Sequence, residues 1–319
     1  EDEIAQIRER QLAEKRTPGI YGEYSKYRNI TFEEVEELIK KGMPYVIRLK
    51  SSGSYGEDAE LITVDDAIRG KLTMPENFQD AVILKSNGIP TYHFAHVVDD
   101  HLMRTTHVVR GEEWLSTLPI HVELFEMLGF ELPTYCHTAQ LMKIDENGNK
   151  RKLSKRKDPE LSLDYYKEVG YHKEAVKEYL LTILNSNFEE WRIANPDTDW
   201  REFEFSMSKM STSGTLFDIN KLNDVSKDVL VKISGEDLYP FLTGWATDYR
   251  EDMARILQKN KEYVVNILDL DRQGKKPRKD FISAGQILDN ISYFFDECFK
   301  ILESMPEEVP PEDVREILE

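Results

Sequence analysis

The sequence predicts a chain of two characters, α/β toward its front and all-α behind. Three observations carry this expectation. Short β-rich runs follow helix signals over residues 1–85. A strand–helix–strand rhythm follows over residues 106–142, the spacing of half a parallel α/β sheet. From Leu161 onward, apolar residues recur at helical spacing. A length of 319 residues is too much for one ordinary domain, and 40% hydrophobic with 10% aromatic residues is enough to build several cores.

The elements can be justified in order. Asp2 to Lys15 reads as a charged helix carrying Ile4, Ile7 and Leu12, broken by Thr17-Pro18-Gly19. Thr31 with Glu34 forms a capping-box pattern that opens a helix through Ile39, and Gly42 stops it. Strands are expected at 45–49, 61–64 and 81–84, where β-branched residues cluster. Tyr92 to Val98 reads as a helix, leading through Asp99-Asp100-His101 to a strand at 106–110. An apolar helix follows from Leu118 to Phe130, and then a strand from Tyr135 to Met142 before the Asn147-Gly148-Asn149 turn. In parallel sheets chemistry gathers at the carboxyl ends of strands, which points to Arg110 and Met142. Behind Pro159, Leu161 to Leu184 reads as amphipathic helix and Leu216 to Leu222 as a short one. Leu238 to Leu302 reads as several helices broken at Gly244, Gly274 and Gly285.

Composition narrows the function. The two cysteines, Cys136 and Cys298, are far apart, which removes a disulfide scaffold and fits a reducing, cytoplasmic setting. No apolar stretch is long enough for a membrane-spanning helix. The net charge of −18 opposes indiscriminate binding to nucleic acid, so any such partner must dock on local basic stripes. Three stripes exist, from Lys40-Lys41 to Lys50, from Lys150 to Lys157, and from Arg272 to Lys279; each is equally readable as a solvated loop. An acidic, proline-bearing segment lies at 307–313. His101, His107 and His121 fall at no metal-ligand spacing and read as structural or surface residues. No GxGxxG or GxxxxGK[ST] occurs, which weakens an ordinary dinucleotide or P-loop enzyme.

The densest chemical signal is Lys152-Leu153-Ser154-Lys155-Arg156. Two lysines flanking a serine on a loop that leaves a parallel strand can wrap a polyphosphate. The ammonium groups offset its charge, and the hydroxyl and loop amides add hydrogen bonds. The pattern resembles the Lys-Met-Ser-Lys-Ser loop of class I aminoacyl-tRNA synthetases, in the Lys-x-Ser-Lys-Arg form of the glutamyl branch. Upstream, residues 92–103 (YHFAHVVDDHLM) and 106–116 (THVVRGEEWLS) are similar to the core of the bacterial glutamyl-tRNA synthetase family.

That resemblance implies the second half of a Rossmann-like catalytic domain over residues 86–158. In front would lie a small α+β acceptor-stem-binding insertion at 1–85. Behind would come a stem-contact helical region at 159–235 and the first part of a helical anticodon-binding region at 236–319. It implies a two-step reaction, in which glutamate's α-carboxylate attacks the α-phosphorus of ATP, pyrophosphate leaves, and the acyl group passes to the terminal ribose of tRNA. ATP with Mg²⁺, glutamate and tRNA(Glu) are the implied ligands, with tRNA(Gln) as a second candidate and a monomer as the expected state.

Carried over by position, Lys152 and Lys155 would be the catalytic lysines. Lys152, Leu153, Ser154, Lys155 and Arg156 would form the mobile phosphate loop, with Glu113, Trp114 and Met142 near the nucleotide. Tyr92, Arg110 and His96 would hold glutamate, and His96 stands where many family members carry asparagine. A dicarboxylate suits a guanidinium fork and a phenol.

Each site residue has a structural rival. Arg110 pairs with Asp99 or Asp100, Tyr92 is a half-buried core aromatic, Glu113 supports the start of the following helix, and Trp114 packs. The family's His-x-Gly-His turn matches none of the seven histidines. The resemblance therefore implies a fragment without the N-terminal half of the ATP site and without the C-terminal end, inactive alone. Competing functions are glutaminyl-tRNA synthetase and a non-catalytic tRNA-binding fragment.

Overall fold

The computed structural model describes residues 2–272 and 274–299; the segment at 307–313 and the expected end of the last helix at Leu302 lie outside the described residues. Contacts divide the chain into two compact units. One comprises residues up to Gln140 with Asn185–Asn187 and Arg201–Thr215, the other Leu141–Leu184, Phe188–Trp200 and the chain from Leu216 on.

The first unit opens with α1 (Asp2–Ala13). The Gln11 amide donates to Gly19 O at 2.8 Å and accepts from Gly19 N at 3.0 Å, so the Thr17-Pro18-Gly19 break is tied back onto the helix. The expected capping box opens α2 (Phe32–Lys40): Glu34 N–H donates to Thr31 Oγ1, and Thr31 N–H to the Glu34 carboxylate at 2.7 Å.

The strands are β1 (Ile47–Arg48), β2 (Leu61–Asp66), β3 (Gly70–Pro75) and β4 (Val82–Leu84). The run at 45–49 shrinks to a two-residue strand against β4. The hairpin partner β3 was not expected: its Lys71 and Pro75 weaken the strand signal. After α3 (Tyr92–Leu102) come β5 (His107–Gly111), a 3₁₀ segment over Glu112–Thr117, α4 (Leu118–Met127) and β6 (Thr134–Thr138). Helix α3 absorbs Asp99-Asp100-His101, helped by an i,i+4 contact of 2.7 Å between His96 Nδ1 and Asp100 Oδ2.

The expected parallel pair is present. Strand β5 runs beside β6 from His107↔Thr134 to Gly111↔Thr138, with α4 as the crossover. The sheet order is β3-β2-β6-β5, and β2 joins β6 in parallel at Asp66↔Tyr135. Val64, Leu118 and Tyr135 form a core on this sheet, and Leu49, Val97, Leu124 and Phe125 form a second one.

The second unit begins where the run 135–142 divides. The chain leaves the parallel sheet after Thr138, and β7 (Leu141–Ile144) pairs antiparallel with β8 (Lys150–Lys152). Met142 is therefore not at the end of a parallel strand but opposite Lys152, and the lysine loop leaves an antiparallel one. Asp145 Oδ1 accepts the amides of Asn147 and Asn149, both at 2.9 Å, which closes the turn.

Then follow α5 (Leu163–Val169), α6 (Lys173–Leu184), α7 (Phe188–Ala194), β9 (Thr215–Leu216) and α8 (Ile219–Leu230). The remaining helices are α9 (Gly235–Tyr249), α10 (Glu251–Lys259), α11 (Lys261–Asp269) and α12 (Ala284–Ile291). The expected breaks at Gly244 and Gly285 do not occur. Both glycines lie inside helices, and the chain turns instead at Arg250 and Asn260, whose backbones leave the helical region. Gly285 serves packing: a Cβ there would meet Val169 O at 3.3 Å and the Trp245 ring at 3.4 Å. Among the described residues no helix is long and apolar enough to cross a membrane.

Candidate active site

In the first unit the structure gathers Tyr92, His93 and His96 from α3, Arg110 from β5, His121 from α4, and Tyr135 and His137 from β6. Arg110 is the centre. Its Nε donates to His137 Nε2 at 2.9 Å, its Nη1 lies 3.0 Å from His121 Nδ1, and its guanidinium sits 4.7 Å over the Tyr135 ring. Arginine only donates, so both imidazoles accept on those nitrogens, which assigns their tautomers. His121 then carries its proton on Nε2 and donates to His93 Nδ1 at 2.9 Å. The third nitrogen, Nη2, is buried and has no hydrogen-bond partner among the described residues.

Burial and the nearby guanidinium keep these rings neutral. His121 is pushed down to about 2, by desolvation first and Arg110 second. The same two influences hold His93 below the ordinary imidazole value. His96 is lowered by burial against the opposing pull of Asp100, and His137 by burial against the opposing pull of Asp66. Burial also works against the charge of Arg110, while Tyr135, Tyr92 and Asp100 act the other way.

The structural rival for Arg110 fails: among the described residues it makes no ion pair with Asp99 or Asp100, and Asp100 faces His96 instead. Tyr92 is 50% exposed, which places it on the rim rather than in a core. Its ring is parallel to His96 at 5.8 Å and 4.7 Å from Trp114. His96 Nε2 lies 3.3 Å from the Tyr135 hydroxyl. Glu113 lies in the 3₁₀ segment ahead of α4, not in that helix's first turn, and accepts from Gln140 Nε2 at 3.4 Å.

The lysine loop belongs to the second unit. Leu153 is 3% exposed and anchors the loop in a core with Tyr171, Tyr179, Phe217 and Leu222. Asp158 organises the turn. It takes both arms of the Arg151 guanidinium at 2.7 Å each and the Ser154 amide at 2.8 Å, and returns its own N–H to Ser154 O at 2.9 Å. The Arg151 fork and the Ser154 amide hold its carboxyl well below the usual range. Lys152, Lys155 and Arg156 project outward, exposed. No ion pair forms on any of these three among the described residues, a fit for a polyphosphate. Met142 sits in β7 opposite Lys152.

A family model of class I tRNA synthetases (E and Q), catalytic domain, matches residues 1–224. The chain belongs to that family. It is 59% identical over 318 residues to a glutamate–tRNA ligase of Acetivibrio thermocellus, covering 100% of this chain and 58% of that protein. It is 53% identical to one of Clostridium beijerinckii, covering 93% of this chain and 53% of that protein. The chain thus spans little more than half the length of these relatives. A crystal structure of a glutamate tRNA ligase from Elizabethkingia meningosepticum, in complex with its amino acid, superposes with a TM-score of 0.73 at 26% identity. It covers 99% of this chain and 63% of that one.

Within this family setting, sequence reasoning missed four residues. His121, read as structural or surface, is fully buried and binds Arg110. Asp66 and His137 were not singled out: they lie 71 positions apart, and only the sheet brings them together. Asp158 shows no signal beyond its place after a basic run. The stripe from Arg272 to Lys279 also changes meaning. Arg272 is buried, bonding Leu268 O at 2.9 Å and Ile233 O at 3.0 Å, so it locks helices and does not face a phosphate backbone. Lys279 is paired with Asp228 at 2.7 Å. His101 stacks on Phe130 at 3.7 Å, a structural role as expected.

Proposed function

We propose that this chain carries the glutamate-binding and phosphate-binding residues of an ATP-dependent glutamate–tRNA ligase acting through a glutamyl-adenylate. The observation that carries the reading is Arg110, a half-buried guanidinium held by two neutral imidazoles, whose buried Nη2 has no partner and which pairs with no carboxylate among the described residues. Such a group calls for an incoming anion, and glutamate's side-chain carboxylate supplies one. A glutamine amide would leave the charge without an offset, which disfavours the glutaminyl alternative.

On this reading Tyr92 and His96 complete the glutamate pocket. Lys152, Ser154, Lys155 and Arg156 bind the ATP phosphates with Leu153 as anchor, and Glu113, Trp114 and Met142 lie near the nucleotide. Mg²⁺ would arrive on the phosphates, since no cluster of three metal-ligating side chains exists among the described residues. The segments 1–85, 86–158, 159–235 and 236–319 take the acceptor-stem, catalytic, stem-contact and anticodon roles toward tRNA(Glu), with tRNA(Gln) a second candidate. The working state is a cytoplasmic monomer.

The test is ATP–pyrophosphate exchange in the full-length protein. Arg110→Ala should raise the KM for glutamate about 100-fold while leaving that for ATP within about twofold. Lys155→Ala should abolish exchange while sparing tRNA binding. Glutamate saturation unchanged in Arg110→Ala would overturn the assignment.

A further inference from the structure

Arg110 works on the glutamate reading only if it stays charged, fixed in direction and free at Nη2. A carboxylate partner would fix it but neutralise it. This protein uses imidazole acceptors, and one of them is itself locked. Asp66 is fully buried in its side chain, with every lone pair engaged. Its Oδ1 accepts the amides of Ile68 at 2.9 Å and Arg69 at 2.8 Å. Its Oδ2 accepts the His137 amide at 3.0 Å and the ring Nδ1–H at 2.7 Å. The proton of His137 is thereby held on Nδ1, and Nε2 must present a lone pair to Arg110 Nε. Arg69 braces the same corner, donating to His137 O at 3.0 Å and to Glu112 at 2.5 Å.

We propose that Asp66 and His137 are positioning residues for substrate binding: Asp66 sets the tautomer of His137, and His137 aims the Arg110 guanidinium without neutralising it. The inference rests on the glutamate reading of Arg110. Asp66 lies in β2, whose hairpin with β3 adds to the parallel sheet, so that strand contributes to the site as well as to the sheet.

Asp66→Asn tests the idea together with the His137 substitutions. The amides of Ile68 and Arg69 cannot change role, so the new carbonyl stays with them and the new NH₂ faces the His137 ring; the His137 backbone N–H loses its acceptor in this variant, a cost that the His137 substitutions do not carry. The ring can change role. Its proton moves to Nε2, where it opposes Arg110 Nε donor to donor.

In the full-length protein, Asp66→Asn and His137→Leu should each raise the glutamate KM in pyrophosphate exchange about 10- to 100-fold, the range of one hydrogen bond to a charged group. The ATP KM should hold within about twofold. His137→Gln, which keeps an acceptor near Nε2, should recover most of the loss, and ring-¹⁵N spectra should show the His137 proton on Nε2 in Asp66→Asn. If Asp66→Asn does not fold, the Gln and Leu variants of His137 decide by themselves. Wild-type glutamate saturation in Asp66→Asn and His137→Leu, with Arg110→Ala still impaired, would overturn the positioning role and leave the glutamate reading intact. So would equal increases for glutamate and ATP. No effect of Arg110→Ala would bring down the glutamate reading itself, and this inference with it.

Discussion

Asp158 shows how one side chain can make a motif usable. The lysine loop has a pattern any surface could carry, and what distinguishes it is an anchored base. Leu153 is buried beneath it, and a carboxylate on its far side clamps Arg151 and the Ser154 amide. Removing that carboxylate by Asp158→Ala leaves a guanidinium and an amide without their acceptor, so the loop should lose its shape before it loses its charge. The expected result is a rise in the ATP KM of about tenfold with the glutamate KM unchanged, read by pyrophosphate exchange. A glutamate effect of equal size would mean the whole fold had loosened. The exposed members of the loop were legible as letters. Asp158 and Arg151 were not, because their value lies in a geometry formed only when the chain closes on itself.

Elements whose signals are local were readable, and those defined by their partners were not. Helix α2 was legible because its capping box is written in four consecutive residues. The β5–α4–β6 unit was legible because crossover length and strand composition agree. The run 135–142 looked like one strand because nothing in it is a breaker; only the change of sheet divides it. Glycine misled for a related reason, since a helix glycine can mark a close approach instead of an end. Gly170 is the opposite case. It ends α5 at φ 82°, accepts from Ala284 N at 2.8 Å, and a Cβ there would stand 2.7 Å from Ala284 Cβ. Gly170→Ala combines a left-handed backbone with overpacking, a cost of about 2–4 kcal/mol. Thermal denaturation should show a clear fall in midpoint, and an unchanged midpoint would show that neither the left-handed backbone nor the Ala284 contact carries that cost.

At the scale of the whole molecule, the two units carry separate cores and a very different load of buried histidine. Four rings in the first unit, His93, His96, His121 and His137, are held below the ordinary imidazole value, while in the second unit His172 is lowered, mainly by burial. A group depressed in the folded state favours folding above its unfolded value near 6.5 and loses that advantage as pH falls. For His121 the loss runs from about 6.5 down toward 2. Over that window each ring that stays neutral adds a slope approaching about 1.4 kcal/mol per pH unit, because the unfolded chain binds the proton and the folded one does not. Between pH 6.5 and 5, His121 alone accounts for about 2 kcal/mol. The depressed carboxyls of Asp66 and Asp158 add nothing here, since their contribution is lost only below about pH 4. Acidification from pH 7 to 5 should therefore lower the melting transition of the first unit by several degrees and that of the second by much less. Calorimetry of wild type against His121→Asn, which keeps an acceptor where Nδ1 stands, checks the source. The variant should show a flatter dependence on pH, and an unchanged slope would move the effect away from the Arg110 cluster.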